Sequence, residues 1–172
     1  MSEIIERLHI ISNRLPITVG IEEKVSFKHS AGGLATGLRS FYKKYEGKWI
    51  GWPGIEKELL STYKSEIDTY LTKQNCLPVY LRKKEVEDFY LGFSNKTLWP
   101  LFHYFPQYTI FDSQLWESYK AVNELYCNIA LEHINEKDYI WIHDYHLMLL
   151  PRLIRNKLPN AKIGFFLHIP FP

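Results

Sequence analysis

"YIWIHDYHLMLLP", Tyr139 to Pro151, changes character twice. It opens on a continuous apolar run, turns polar at His143, Asp144 and His146, and resumes as an apolar segment of helical length containing Pro151. A strand half-exposed to water alternates apolar and polar residues, whereas an unbroken apolar run suits a strand covered on both faces. The stretch therefore reads as strand, polar turn, helix, which is the repeating unit of a parallel sheet.

The same unit recurs on both sides. "KIGFFLHI" (Lys162 to Ile169) predicts a second doubly covered strand, and "RLHIIS" (Arg7 to Ser12), "KWIGWPG" and "LPVYL" (Leu77 to Leu81) predict three more. Between them, helical spacing runs through "LATGLRSFYKKY" at Leu34, Leu38 and Phe41/Tyr42. It returns from Ile55 to about Gln74, with Leu59, Tyr63, Ile67, Tyr70 and Leu71 on one side, and from Lys84 to Tyr90. A long helix to about Ile134 carries Leu115, Tyr119, Val122, Tyr126 and Ile129, with Ser113 as its cap. The expected fold is α/β: one Rossmann-like domain with a mostly parallel sheet and helices on both faces.

Composition narrows the function. Basic and acidic residues, 21 and 19, intermingle to a formal charge of +2, and "LRKKEVED" reverses sign within itself. No basic block tracks a nucleic acid. The two cysteines, Cys76 and Cys127, have neither metal-ligand nor redox spacing. "MSEIIERLHI" lacks the apolar core of a signal peptide, and no apolar run reaches membrane length. The expectation is a soluble cytoplasmic protein with no nucleic-acid or membrane partner. The 12 Tyr, 10 Phe and 5 Trp fit a sugar or nucleotide site and fit an aromatic core equally.

In open parallel sheets, ligands gather beyond the carboxyl ends of the strands. "NRLP", "PG", "HDYH" and "HIPFP" each follow a predicted strand. Arg14 there can hold a phosphate through two parallel hydrogen bonds, or pair with an acid on the surface. Gly32 and Gly33, ahead of a predicted helix, suit either a tight turn or an anion held by backbone N–H groups. His143, Asp144 and His146 lack a further ligand at metal spacing, so neither a metal nor a cofactor is expected. Asp144 is better suited to accept from sugar hydroxyls. His168 is either a satisfied structural histidine or a site residue. Tyr90 and Trp99 could contact a sugar or a phosphate, or belong to the core.

Taken in order, "SNRLP", "HSAGGLATGL", "WIGWPG", "GFSNKTLWPLFHY", "WIHDYHLMLLP" and "GFFLHIPFP" resemble the start of the trehalose-6-phosphate synthase family, from Ile10 to Pro172. The resemblance implies a retaining transferase with two GT-B lobes that moves glucose from UDP-glucose to glucose 6-phosphate. It implies that Arg14 binds the acceptor phosphate, that Tyr90 and Trp99 line the acceptor pocket, and that Asp144 binds acceptor hydroxyls. Gly32 and Gly33 would approach the donor diphosphate, and His168 would be the catalytic contact to the donor glucose. Residues 1–172 would be the truncated, acceptor-binding N-terminal lobe. Without the donor-binding lobe this piece is expected not to turn over. A homo-oligomer, or a synthase–phosphatase complex with non-catalytic subunits, is compatible with the family. The donor base, uridine or guanosine, is not legible here.

Overall fold

A computed structural model describes residues 7–30, 38 and 46–172. Strands β1 (Leu8–Arg14), β4 (Trp49–Trp52), β5 (Cys76–Pro78), β6 (Tyr139–His143) and β7 (Lys162–Phe166) form a parallel sheet in the order β5-β4-β1-β6-β7. The remaining strands, β2 (Ile17–Ile21) and β3 (Val25–His29), pair antiparallel as a separate hairpin. The sequence reading missed this hairpin, although Ile17, Val19 and Ile21 alternate at strand period.

Successive residues of a strand face opposite sides, and the centre of the sheet shows it. Ile11 and Ile50 lie in one core with Tyr119, Val122 and Tyr126 of helix α2 (Ser113–Leu131) and Ile154 of helix α3 (Leu150–Lys157). Ile10 and Trp49 lie in the other with Ile17 and Val19 of the hairpin and Ile67 and Leu71 of helix α1 (Lys64–Lys73). Helices therefore cover both faces, as expected. Each fully buried large apolar side chain contributes about 1.5–3 kcal/mol, and Ile10, Ile11 and Ile50 have no exposed surface at all.

Several boundaries depart from expectation. Asp112, not Ser113, caps α2: its backbone is extended and its side chain accepts from the Gln114 N–H at 2.7 Å. The predicted helix from Ile55 begins as two short 3-10 turns, Lys57–Leu59 and Ser61–Tyr63, before α1. That irregular start turns Leu59 out to solvent and buries Leu60 instead. The helix expected at Lys84 to Tyr90 continues as a wide segment, Val86–Leu98, closing with a bond from the Trp99 N–H to the Ser94 carbonyl, five residues back. Such i→i+5 geometry is rare and concentrates at functional sites. Finally, β7 is an edge strand, with Phe165 41% and Phe166 49% exposed. The apolar run "IGFFL" is thus not covered on both faces: hydrophobicity states what a strand needs, not what lies over it. The helix read from Leu34 to Tyr45 lies outside the described residues apart from Leu38, which packs on the second core.

Candidate functional site at the carboxyl edge of the sheet

From β1 the sheet extends one way through β4 and β5 and the other way through β6 and β7. The carboxyl ends of β1 and β6 therefore flank the point where strand order reverses, which is where open α/β sheets bind ligands. Arg14 ends β1, and Asp144 follows directly on β6.

A local irregularity aims Arg14. Ile11 pairs with Ile50 but Arg14 with Trp52, so β1 advances three residues while β4 advances two. The resulting bulge is held by Ser12, whose hydroxyl donates to the Arg14 carbonyl at 2.7 Å and accepts from Trp49 Nε1 at 2.8 Å. The guanidinium lies over the Trp52 ring, 4.6 Å from its centroid, and Nη2 donates to Thr18 Oγ1 at 3.2 Å. Among the described residues no carboxylate pairs with it. Burial consequently lowers the Arg14 pKa from its ordinary value, opposed by Tyr90 and Tyr126. A half-buried cation without a counter-charge is costly unless an anion arrives.

Gly54 makes room for that cation. Its φ is +85°, and a Cβ there would stand 2.3 Å from Arg14 Nη2. Gly54→Ala is expected to cost about 1–2 kcal/mol from the left-handed backbone alone and to push the guanidinium off Trp52. Urea denaturation checks the first effect; the quenching of Trp52 fluorescence by added phosphate, compared with the parent protein, checks the second.

The turn after β6 is pinned from α2. Tyr119 donates to the Tyr145 carbonyl at 2.7 Å and accepts from the Met148 N–H at 3.1 Å. Asn123, one helical turn further on, donates to the Tyr119 carbonyl and to the His146 carbonyl at 3.1 Å. Asp144 sits at φ +78°, ψ 165°, a region that is essentially glycine's and costs about 1–3 kcal/mol. What holds it there is visible: its N–H donates to the Phe166 carbonyl at 2.7 Å, and its Oδ1 accepts from the N–H groups of Tyr145 at 3.0 Å and His168 at 3.3 Å.

Aromatic contacts join these pieces. Tyr90, on the wide helical segment, meets Trp52 edge-on at 6.0 Å and stacks on His146 at 5.6 Å. His146 Nδ1 is 3.9 Å from Asp144 Oδ2. Arg14, Trp52, Tyr90, His146, Asp144 and His168 thus form one connected chain of contacts. His168 is exposed, and its Nε2 is 3.0 Å from His143 Nδ1. Burial pushes His146 down to about 3, and burial with the nearby His168 pushes His143 down to about 4.

Trp99 is not part of that chain. It is 44% exposed, stacks on His103 at 4.1 Å, and lines an adjoining cavity of about 400 Å³ with Asn95, Pro100, Phe105 and Tyr108. Asn95 links the two regions, accepting from the Tyr145 hydroxyl at 3.1 Å. Gly32 and Gly33 lie outside the described residues. Sequence reasoning overlooked Gly54, the Trp52 face beneath Arg14, and the pairing of His143 with His168. Only the "WPG" turn carried a signal for the first two.

The chain matches glycosyltransferase family 20 over residues 6–172. It is 44% identical over 174 residues to a UDP-forming α,α-trehalose-phosphate synthase of Emericella nidulans, covering 96% of this chain and 34% of that protein. It superposes on the UDP-forming α,α-trehalose-phosphate synthase of Burkholderia xenovorans in complex with glucose-6-phosphate with a TM-score of 0.72 at 32% identity, covering 96% of this chain and 34% of the other. It also superposes on the N-terminal domain of the Candida albicans trehalose-6-phosphate phosphatase, with a TM-score of 0.76 at 30% identity, covering 100% of this chain and 35% of the other. The chain spans about a third of the length of these relatives.

Proposed function

The chain belongs to glycosyltransferase family 20, and we propose that it is the acceptor-binding lobe of a UDP-forming α,α-trehalose-phosphate synthase. The reaction moves glucose from UDP-glucose to glucose 6-phosphate with retention, and a second lobe supplies most of the donor site. One observation carries this reading: a half-buried guanidinium without a carboxylate partner among the described residues, at the carboxyl edge of β1 and joined through Trp52, Tyr90 and His146 to Asp144 after β6. A hexose phosphate is the ligand with the complementary charge.

In this reading Arg14 takes the acceptor phosphate, the Tyr90 phenol closes on it, and Asp144 accepts hydrogen bonds from the acceptor hydroxyls through the oxygen its backbone contacts leave open. Trp99 walls the far side of the acceptor through the Asn95 link. Gly32 and Gly33 approach the diphosphate, and His168 meets the donor glucose. Two sugars held in register make the encounter effectively intramolecular. N–H donors fixed on the departing phosphate stabilise the charge that develops there. Cys76 and Cys127 are free and buried, which suits a reducing cytoplasm.

The likeness to the phosphatase N-terminal domain favours a second reading, a non-catalytic subunit of a trehalose-synthesising complex. Arg14, Tyr90, Asp144 and His168 are joined by one chain of contacts, which weighs toward catalysis. The decisive assay supplies the full-length protein with UDP-glucose and glucose 6-phosphate. Formation of UDP and trehalose 6-phosphate is expected; tight glucose 6-phosphate binding without product would select the subunit reading.

Asp144→Asn separates charge from architecture. The amide oxygen can still accept from Tyr145 and His168, so the melting temperature is expected to stay within a few degrees. Affinity for glucose 6-phosphate should fall on the order of tenfold, the worth of one hydrogen bond to a charged group. Calorimetric titration with glucose 6-phosphate gives the number; an unchanged affinity removes Asp144 from the acceptor site.

A further inference from the structure

We propose that His143 is a positioning residue: it fixes the His168 ring in one tautomer, with Nδ1–H facing outward as a hydrogen-bond donor to a hydroxyl of the donor sugar. That the hydroxyl belongs to a donor sugar rests on the synthase reading above; the tautomer does not.

His143 Nδ1 and His168 Nε2 are 3.0 Å apart, with their ring planes inclined by 27° and 5.2 Å between centroids. Two bare imidazole nitrogens repel at that separation, so one of them carries the shared proton. His143 closes β6, is 1% exposed, and its Nε2 is buried without a partner among the described residues. Were its proton on Nε2, an N–H would be buried with no acceptor. With the proton on Nδ1, only a lone pair is left over. Orphaned buried N–H groups are the rarer and costlier of the two. His143 Nδ1–H therefore donates to His168 Nε2, and a neutral His168 keeps its own proton on Nδ1.

The surroundings maintain this state. Trp141 and Phe166 lie against the His143 ring at 4.7 and 6.4 Å, and burial, with His168 second, pushes His143 down to about 4. The inner ring thus holds a single proton at neutral pH. The His168 backbone N–H is tied to Asp144 Oδ1, which sets the outer ring beside the carboxylate proposed to hold the acceptor. A histidine side chain in water prefers its proton on Nε2, so the fold imposes the opposite choice. In this state His168 can donate to a substrate oxygen but has no lone pair with which to take a proton from it.

Long-range proton–nitrogen correlation spectra of the ¹⁵N-histidine-labelled protein test the assignment. The expected wild-type result is His168 protonated on Nδ1 and bare on Nε2. His143→Asn, whose amide NH₂ stands near the place of Nδ1, should preserve it; His143→Leu should return His168 to the Nε2–H form. The signals of His9, hydrogen-bonded to Asp138 far along the sequence, report whether each variant is folded. Wild-type His168 protonated on Nε2 overturns the proposal, as does a folded His143→Leu with an unchanged His168. If His143→Leu does not fold, the wild-type and His143→Asn spectra still decide. In the full-length protein, His143→Leu is expected to raise the KM for UDP-glucose on the order of tenfold and His143→Asn by no more than about twofold. Equal effects of the two substitutions would overturn the positioning role. A protein with the expected tautomer that forms no trehalose 6-phosphate overturns the synthase reading alone.

Discussion

Arg14→Ala is expected to weaken glucose 6-phosphate binding on the order of 100-fold while leaving the fold intact. A guanidinium that grips phosphate through two parallel charge-assisted bonds contributes about 1.5–3 kcal/mol per bond, part of it offset by desolvation. A net loss near 2.7 kcal/mol is two decades in affinity. Stability of the free protein should change little, because the substitution removes a half-buried cation that lacks a carboxylate partner among the described residues. Calorimetric titration with glucose 6-phosphate and with glucose separates the effects: the variant should bind both alike, and the parent should prefer the phosphate. Arg14→Lys keeps the charge but loses the planar fork and its seat on Trp52, so an intermediate loss, roughly tenfold, is expected. Equal affinity of parent and Arg14→Ala for glucose 6-phosphate would remove the residue from the site.

The second large effect is on acid stability. His9, His143 and His146 are all buried, and in all three burial is the leading cause of a lowered pKa. For His9 the nearby Asp138 opposes the shift, while Arg7 and His133 add to it. The folded-state values lie below the ordinary 6.5 of the unfolded chain, to about 4 for His143 and about 3 for His146. Between those limits the unfolded chain binds protons that the folded chain refuses, so stability is full above 6.5 and is lost as the pH falls. Each such group steepens the slope by about 1.4 kcal/mol per pH unit, and His143 alone amounts to about 3 kcal/mol by about pH 4. Urea midpoints measured from pH 7.5 to 4.5 should hold down to about pH 6.5 and fall steadily below it, and His143→Asn should lessen the slope by close to one proton. A flat midpoint from pH 7 to 5 would show that these rings are not held neutral.

Much of the architecture was written in local pattern. The unbroken apolar run of β6 announced a strand, although Tyr139 and Trp141 stay partly exposed and only Ile140 and Ile142 enter a core; the spacing of Tyr119, Val122 and Tyr126 announced α2, and the turns after the strands announced the carboxyl edge. These depend on neighbours along the chain, which a sequence lists in order. The helix start at Asp112 and the exposure of Leu59 were missed by a residue, because capping and 3-10 turns trade off within a single turn of helix. The hairpin β2–β3 was missed because its alternation is short and its partner core is distant.

For the site, residue types were legible and relations were not. That Arg14, Asp144 and His168 belong near one edge followed from their places after strands. That Arg14 lies over Trp52 depends on a one-residue slip between β1 and β4. That Gly54 must lack a side chain depends on where that guanidinium then rests. That Asp144 tolerates a glycine-like backbone depends on bonds from Phe166, Tyr145 and His168, two of them more than twenty positions away. That His143 settles the proton of His168 depends on β6 and β7 lying side by side. Periodicity and turn chemistry act between residues a few positions apart, so the chain alone determined the parallel strands, the long covering helix α2 and the edge that bears the site. Register, close approach and the sharing of a proton act between residues distant in the chain, and only packing in three dimensions decided them.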